Sequence, residues 1–214
     1  MSVGEATGSG TCDQATDPLN PIIVELPGTT KVQLDLVSRR GLVAVVYTGC
    51  SLKVLNACEI EGGYEFTSVQ PQVTKMALDN MDQLAAGLPL GVATIGGQIG
   101  GGQKFELDYV LVGERRTTQK PGKLGDNCEG ATHYVRNIMI GSYALDTKAE
   151  GKAGIGVEVS DIGVSASHSE HEQQGRGSGD LRACAKATAL TVEEAEKLGC
   201  AAPVQLGLVA LGAK

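Results

Sequence analysis

Residues Gly141–His171, GSYALDTKAEGKAGIGVEVSDIGVSASHSEH, keep a strand-like alternation for longer than an ordinary strand does. Across residues 143–159 the odd positions are apolar or small, and the even positions are mostly polar. This period of two predicts one dry face and one wetted face. Because the phase flips after Ser160 and Asp161, we expect a bulge or a tight turn there. The stretch is therefore interpreted as one long amphipathic strand, or as two strands broken near Gly151.

Length and composition favour one β-rich domain. The 214-residue chain is long enough to bury its own core, and its 30 glycines are about twice the usual share, whereas Trp is absent. Glycines scattered among Val, Ala, Ser and Thr are typical of twisted sheets and tight turns. We expect residues 1–18 to form a flexible N-terminal arm and residues 19–214 a single domain. The predicted fold class is α+β to mainly β: an antiparallel sheet with long amphipathic strands and two or three short helices, stapled by disulfides.

The charge balance bears on the possible partners. With 25 acidic against 18 basic residues, the net charge is −7, which repels a nucleic-acid backbone or an anionic membrane surface. The sequence contains no run of eighteen apolar residues, so no membrane-spanning helix is predicted. Because of the net negative charge, we expect no nucleic-acid partner.

Capping and turn signals predict the secondary structure. Helices are predicted from a capping box at Thr30–Gln33 up to Gly41, over Asp79–Ala86, and over Thr191–Leu198. Alternating or apolar runs predict strands at Pro21–Leu26, Leu42–Tyr47, Ser51–Leu55, Tyr64–Val69, Gly91–Leu111, Thr132–Ile140 and Val204–Leu211. The glycine tract 96–102 lies inside one of these strands. A phosphate-binding loop must open a helix, so none is expected there.

Six cysteines suggest disulfides. They are Cys12, Cys50, Cys58, Cys128, Cys184 and Cys200, and no CxxC spacing that would indicate a zinc site occurs among them. The most economical pairing joins Cys50 to Cys58 and Cys184 to Cys200, which leaves Cys12 with Cys128. Other pairings stay open, as do free thiols in a reducing compartment. The first residues lack the regions of a signal peptide, so an exported protein would have lost its signal.

Candidate chemistry is sparse. His168 and His171 are weak metal-ligand candidates, in a polar segment with no apolar residue to shape a site. His133, close to Cys128, is interpreted as structural because that cysteine is expected in a disulfide. No nucleophile elbow, zinc-protease or paired-carboxylate motif occurs. We predict no cofactor, no bound metal and no catalytic residue, and therefore a protein that is not an enzyme.

Short motifs follow one another along about four-fifths of the chain. They are YTGC…C at Tyr47–Cys58, GGYEFTSVQP at Gly62–Pro71, LAAGLPLG at Leu84–Gly91, VGERRTT at Val112–Thr118, CEGATHYV at Cys128–Val135 and GDL..C at Gly179–Cys184. Their order resembles a group of uncharacterised, cysteine-containing envelope lipoproteins of the myxobacterial type. The resemblance implies export and disulfides, supports the two local cysteine pairs and implies no activity. Members of that group carry a signal peptide and a lipid-bearing cysteine, neither of which the start of this sequence shows.

Two functional hypotheses follow, and a hydrolase whose site the sequence does not reveal is a third. The first is a non-enzymatic exported protein of the periplasm, outer membrane or cell surface that self-associates through long amphipathic strands. Such a homo-oligomer could take the form of a ring or pore and contact a membrane through its strands. The side chains assigned to the assembly strand are Tyr143, Leu145, Ala153, Ile155, Val157 and Val159. The alternative is a monomeric cell-surface binding module that uses loops 117–127 and 167–179 for recognition.

Overall fold

The computed structural model describes residues 17–122, 124–125, 127–148 and 176–212. The helices in these ranges are α1 Gly28–Ser38, α2 Met81–Gly87, α3 Val92–Gly100, α4 Leu181–Ala185 and α5 Val192–Lys197, with a 3₁₀ turn at Pro89–Gly91. The strands are β1 Ala44–Tyr47, β2 Leu52–Val54, β3 Glu65–Leu78, β4 Lys104–Arg116, β5 His133–Lys148, β6 Arg176–Ser178 and β7 Ala202–Ala210. All strand pairs are antiparallel. The predicted α+β class with an antiparallel sheet and disulfides is confirmed.

The long strand β5 lies at the centre of the sheet. On one edge, its residues 133–134 pair with β1 and its residues 137–148 pair with β4. On the other edge, residues 133–141 pair with β7 and residues 143–145 pair with β6. The strand order β2-β1-β5-β4-β3 leaves β3 at the end of the sheet. The position of β5 therefore sets the positions of four other strands.

Both faces of the sheet are covered. Neighbouring residues of β4 belong to different apolar clusters: Val110 packs with Leu34 of α1, whereas Tyr109 packs with Leu84 of α2 and Ile95 of α3. Adjacent side chains of a strand point to opposite faces, so the two clusters lie on opposite sides of the sheet. One core joins the sheet to α1, α4 and α5, and the other joins it to α2 and α3.

A glycine allows β4 and β5 to approach closely at an irregular point of their ladder. The register between the two strands shifts between Leu111 and Gly113, next to Gly141 of β5. A Cβ atom placed on Gly141 would overlap the carbonyl oxygen of Val110. Any larger residue at position 141 must therefore push the two central strands apart.

The first half of the predicted strand Gly91–Leu111 forms a helix instead, so this prediction is wrong there. Residues 92–100 of the predicted strand Gly91–Leu111 form α3, and β4 begins only at Lys104. Ile95 and Ile99 are four residues apart, a spacing that puts side chains on one side of either a strand or a helix. Both side chains are buried in the core that holds α2. Tertiary packing thus outweighs the low helix propensity of the glycines.

The other helix predictions hold with one change of detail. Around α5 the predicted capping box forms, with Thr191 and Glu194 each accepting from the other's backbone N–H. Asn80 caps α2 by accepting from the backbone N–H of Gln83. The box predicted at Thr30 does not form, because α1 already begins at Gly28, directly after Pro27. None of the described helices is long and apolar enough to cross a membrane.

The predicted cysteine pairing is correct for one bond and wrong for the others. Cys184–Cys200 is bonded as predicted, with the Cα atoms 5.6 Å apart. Cys58 is bonded to Cys128, with the Cα atoms 4.5 Å apart, so the predicted Cys50 to Cys58 and Cys12 to Cys128 bonds are wrong. The strand β2 extends the chain between Cys50 and Cys58 and so holds residues at its two ends apart, whereas a disulfide needs the two Cα atoms within about 7 Å of each other. Cys50 is itself disulfide-bonded, and Cys12 lies outside the described residues.

We expect Gly141→Ala to lower the free energy of unfolding by about 2–3 kcal/mol, because the added methyl group overlaps the backbone of β4. Gly63→Ala is the matched control, since a Cβ atom at that exposed glycine meets nothing within 4 Å. It should change stability by less than about 1 kcal/mol. Urea denaturation followed by circular dichroism measures both, and equal stabilities would contradict the close approach at Gly141.

Candidate ligand-binding site

A cavity of about 640 Å³ opens between α3 and the sheet, at the end where β4 begins and β5 reaches Lys148. We call it the α3 cavity. Its volume falls within the range of small-molecule sites in proteins. The cavity is lined by Ile95, Gln98, Gln103, Phe105, Leu145, Thr147 and Arg176.

The register of three neighbouring strands brings the lining side chains together. Phe105 of β4 lies opposite Thr147 of β5, and Leu145 lies opposite Arg176 of β6. Residues opposite each other in an antiparallel pair point to the same face, so all four side chains face the same space. The helix α3 lies across this face and adds Ile95. The cavity thus has a rim of amide, hydroxyl and guanidinium groups, and the apolar side chains of Ile95, Phe105 and Leu145 behind this rim are almost fully buried.

A buried carboxylate lies next to the polar rim of the α3 cavity. The side chain of Glu25 has 0% exposure, and its Oε2 accepts from Arg176 Nη1 at 2.6 Å and from Thr94 Oγ1 at 3.1 Å. Its Oε1 has no hydrogen-bond partner among the described residues. Arg176 is 56% exposed and also lines the cavity. The guanidinium therefore connects a fully buried anion with the open space.

A lysine and a tyrosine extend this polar group. Lys31 of α1 donates from Nζ to the hydroxyl of Tyr143 and to the backbone oxygen of Val24, each at 2.6 Å. Burial lowers the pKa of Lys31, and the nearby Glu25 carboxylate opposes that change. Burial raises the pKa of the Tyr143 hydroxyl, and Glu25 raises it further. Arg176 is therefore bonded directly to the Glu25 carboxylate, whereas Lys31 interacts with it only through its nearby charge.

A second, smaller cavity of about 220 Å³ adjoins a network of surface ion pairs. There Asp35 of α1 accepts from Arg115 of β4 at 3.0 Å and from Arg39 at 2.9 Å. Burial raises the pKa of Asp35, but the hydrogen bonds from the two arginines outweigh it and leave that pKa below its usual value. Arg115 also reaches Glu196 of α5 at 3.8 Å. The network joins α1, β4 and α5, which fits a structural role.

Only two of the residues assigned to the assembly strand lie in the described part of the chain. Tyr143 and Leu145 are buried in the core shared with α2 and α3, and Leu145 also lines the α3 cavity. Outside the described residues lie Ala153, Ile155, Val157, Val159 and the weak metal candidates His168 and His171. Within the described ranges, no group of three possible metal ligands occurs. The two described residues of the assembly strand are therefore not available to a partner.

Sequence reasoning did not identify Glu25, Lys31 or Arg176 as site residues. One signal was available, because Glu25 is an acid inside the otherwise apolar run Pro21–Leu26. A buried acid is usually paired, which could have prompted a search for a cation. Nothing in the sequence indicated that this cation lies 151 residues further along the chain.

Comparison with known proteins adds no neighbour: no family model, no curated protein and no solved structure matches the chain.

We expect Arg176→Gln to destabilise the fold more than Glu25→Gln. Removing the arginine leaves a fully buried carboxylate with only the Thr94 hydroxyl, at a cost of about 2 kcal/mol, whereas removing the carboxylate's charge leaves a guanidinium that water already reaches. The Glu25→Gln/Arg176→Gln double variant should regain most of the loss. Urea unfolding of the three variants measures their free energies of unfolding. Equal losses of stability in the two single variants would contradict the prediction that the arginine is the more important partner for stability.

Proposed function

We propose that the protein is an extracytoplasmic binding module whose ligand site is the α3 cavity. One observation carries the proposal: within the described part of the chain, a space of about 640 Å³ lies beside the polar side chains of Gln98, Gln103, Thr147 and Arg176. Protein interiors are close-packed, so a space of this size beside a sheet is a candidate for a bound molecule. A small molecule in this space would contact the side chains of Gln98, Gln103, Thr147 and Arg176, in front of the nearly buried Ile95, Phe105 and Leu145.

The disulfides support an extracytoplasmic location. Every described cysteine is in a disulfide, including Cys58–Cys128 and Cys184–Cys200. Such bonds persist in oxidising compartments and are rare in the cytosol. Together with the resemblance to envelope lipoproteins, this favours a protein of the periplasm, outer membrane or cell surface.

The site differs from the recognition loops expected from the sequence. The first loop, 117–127, follows β4, and its Thr117 is buried and hydrogen-bonded within the loop. From the second loop, 167–179, the described residue Arg176 lines the cavity. The lining residues lie mostly on helix and strands, which hold a site more rigidly than loops do.

Thr147→Tyr tests the site, because a larger side chain at this exposed lining position fills the cavity mouth. N-Phenyl-1-naphthylamine, an uncharged fluorescent probe, should bind the native protein and lose at least about tenfold in affinity for the variant. Thr67→Tyr, at an exposed position of β3 away from the cavity, is the control and should bind as the native protein does. Absence of probe binding, or equal binding by Thr147→Tyr, would overturn the proposal.

A second candidate function is self-association, through β3 rather than through the strand at 143–159 to which the sequence assigned it. It is favoured by β3, a strand of 14 residues at the end of the strand order. Among the described strands, β3 pairs with β4 alone. Its register shifts between Ser68 and Gln72, around Pro71, so the regular part runs from Gln72 to Leu78. Long exposed strand edges are templates for pairing with another chain, and a homo-oligomer would form through this edge.

Val73→Lys tests this candidate, because Val73 is exposed in the regular part of β3 and a charge on an edge strand opposes pairing. We expect light scattering after gel filtration to show oligomers of the native protein and a monomer of 22.1 kDa for the variant. Thr67→Lys, on the other side of Pro71, is the control and should still assemble. A native protein that is monomeric at all concentrations would exclude self-association.

A further inference from the structure

We infer that the α3 cavity takes a neutral molecule rich in hydroxyl groups, of the saccharide class. The inference rests on the proposed function and adds the chemical class of the ligand to it. It is carried by the polar groups that the cavity exposes, by the turn that brings two glutamines together, and by the ion pair that compensates the charge of the arginine.

The exposed side chains of the described cavity lining are polar, and three of the four are uncharged. They are Gln98, Gln103, Thr147 and Arg176, whereas the apolar lining residues are at most 6% exposed. An amide has donor hydrogens and an acceptor oxygen, and a hydroxyl both donates and accepts. A ligand hydroxyl can pair with either kind of group, whereas a carboxylate only accepts and an ammonium only donates. The lining therefore matches a molecule that carries several hydroxyl groups.

The turn that ends α3 brings the two glutamines together. The backbone N–H of Gly102 donates to the carbonyl oxygen of Ile99, and that of Gln103 donates to the carbonyl oxygen of Gln98, each at 3.0 Å. These two bonds form a Schellman motif, and Gly102 has the positive φ of 91° that is usual at its centre. The motif commonly brings an apolar pair into contact at the positions of Gln98 and Gln103. Here both residues are amides instead, and both line the cavity.

The ion pair with Glu25 compensates the one charge of the described lining. Arg176 donates to the buried Glu25 at 2.6 Å, so the positive charge of the guanidinium already has a partner inside the protein. An anion would have to compete with Glu25 for this charge. A cation would meet the guanidinium first, because the side chain of Glu25 has no exposed surface. The remaining guanidinium N–H groups can still donate to a neutral oxygen, so the charges favour a neutral ligand over either ion.

Glu25 also ties the two polar sides of the cavity together. Its Oε2 accepts from Arg176 of β6 and from Thr94 of α3, and Gln98 lies about one helical turn after Thr94. One buried carboxylate therefore holds the spacing between the guanidinium and the first glutamine. A sugar ring carries its hydroxyl groups at fixed positions, and binding groups that are already held in place lose less conformational entropy on contact.

Three sugars with the same ring and different charges test the inference. Glucose is neutral, glucuronate carries a carboxylate and glucosamine carries an ammonium group. We expect nitrogen–proton correlation NMR to show that glucose binds at least about fivefold more tightly than either charged sugar. The side-chain amide signals of Gln98 and Gln103 should be among those that shift during the titration.

Substitutions of the lining residues locate the binding. Gln98→Leu and Gln103→Leu each remove an amide at similar size and should weaken glucose binding at least about fivefold. Thr147→Val keeps the shape of the side chain without its hydroxyl and should weaken binding in the same direction. Gln119→Leu, in the exposed loop after β4 and outside the cavity lining, is the matched control and should bind glucose as the native protein does.

The outcomes separate the ligand class from the site. Equal binding of the three sugars, or glucose binding that neither Gln98→Leu nor Gln103→Leu weakens, would overturn the inference. If glucose does not bind but N-phenyl-1-naphthylamine binds and loses affinity for Thr147→Tyr, the inference fails and the proposed function stands. If neither glucose nor this probe binds the native protein, the two fail together.

Discussion

Backbone hydrogen bonds on both edges of β5 are the constraint on which the rest of the structure depends. Through them β5 holds β1 and β4 on one side and β7 and β6 on the other. Because a shift of one residue would turn every side chain of β5 to the opposite face, this register decides which residues enter which core. It also sets the candidate site, since Leu145 and Thr147 line the cavity and β6 brings Arg176 to it. The close approach of β4 to β5 requires a glycine at position 141.

The disulfides secure the same part of the sheet from two ends. Cys128 lies shortly before β5 begins at His133, and Cys200 lies shortly before β7 begins at Ala202. The two strands are antiparallel, with His133 opposite Ala210 and Gly141 opposite Ala202. One covalent bond thus fixes the start of β5 and the other fixes the start of β7, at opposite ends of their shared ladder. In the chain-entropy view, such bonds stabilise the native state by restricting the unfolded chain.

Sequence patterns predicted structure among residues close together in the chain. They did not predict contacts between segments far apart in the chain. The capping box of α5 and the Cys184–Cys200 bond involve residues close in sequence, and both were predicted correctly. The helix α3 was missed because Ile95 and Ile99 fit either period and only packing against α2 decides between them. The bond between Cys58 and Cys128 and the ion pair between Glu25 and Arg176 join segments 70 and 151 residues apart, which no periodicity relates. For the site, alternation predicted that Leu145 faces an apolar environment, but not that a cavity lies there.

The covalent ring closed by Cys58 and Cys128 has a consequence for proteolysis. The ring spans 70 positions of sequence and includes β3, β4 and the loop 117–122 that follows β4. Most of that loop is exposed, including Gln119 and Lys120, and such loops are preferred sites of nicking. A cut there leaves both pieces joined by the disulfide, while β3 and β4 keep their hydrogen bonds to the rest of the sheet. In a compartment rich in proteases, the molecule could thus be nicked at this loop and still keep its sheet and its cavity, and only a reductant would separate the fragments.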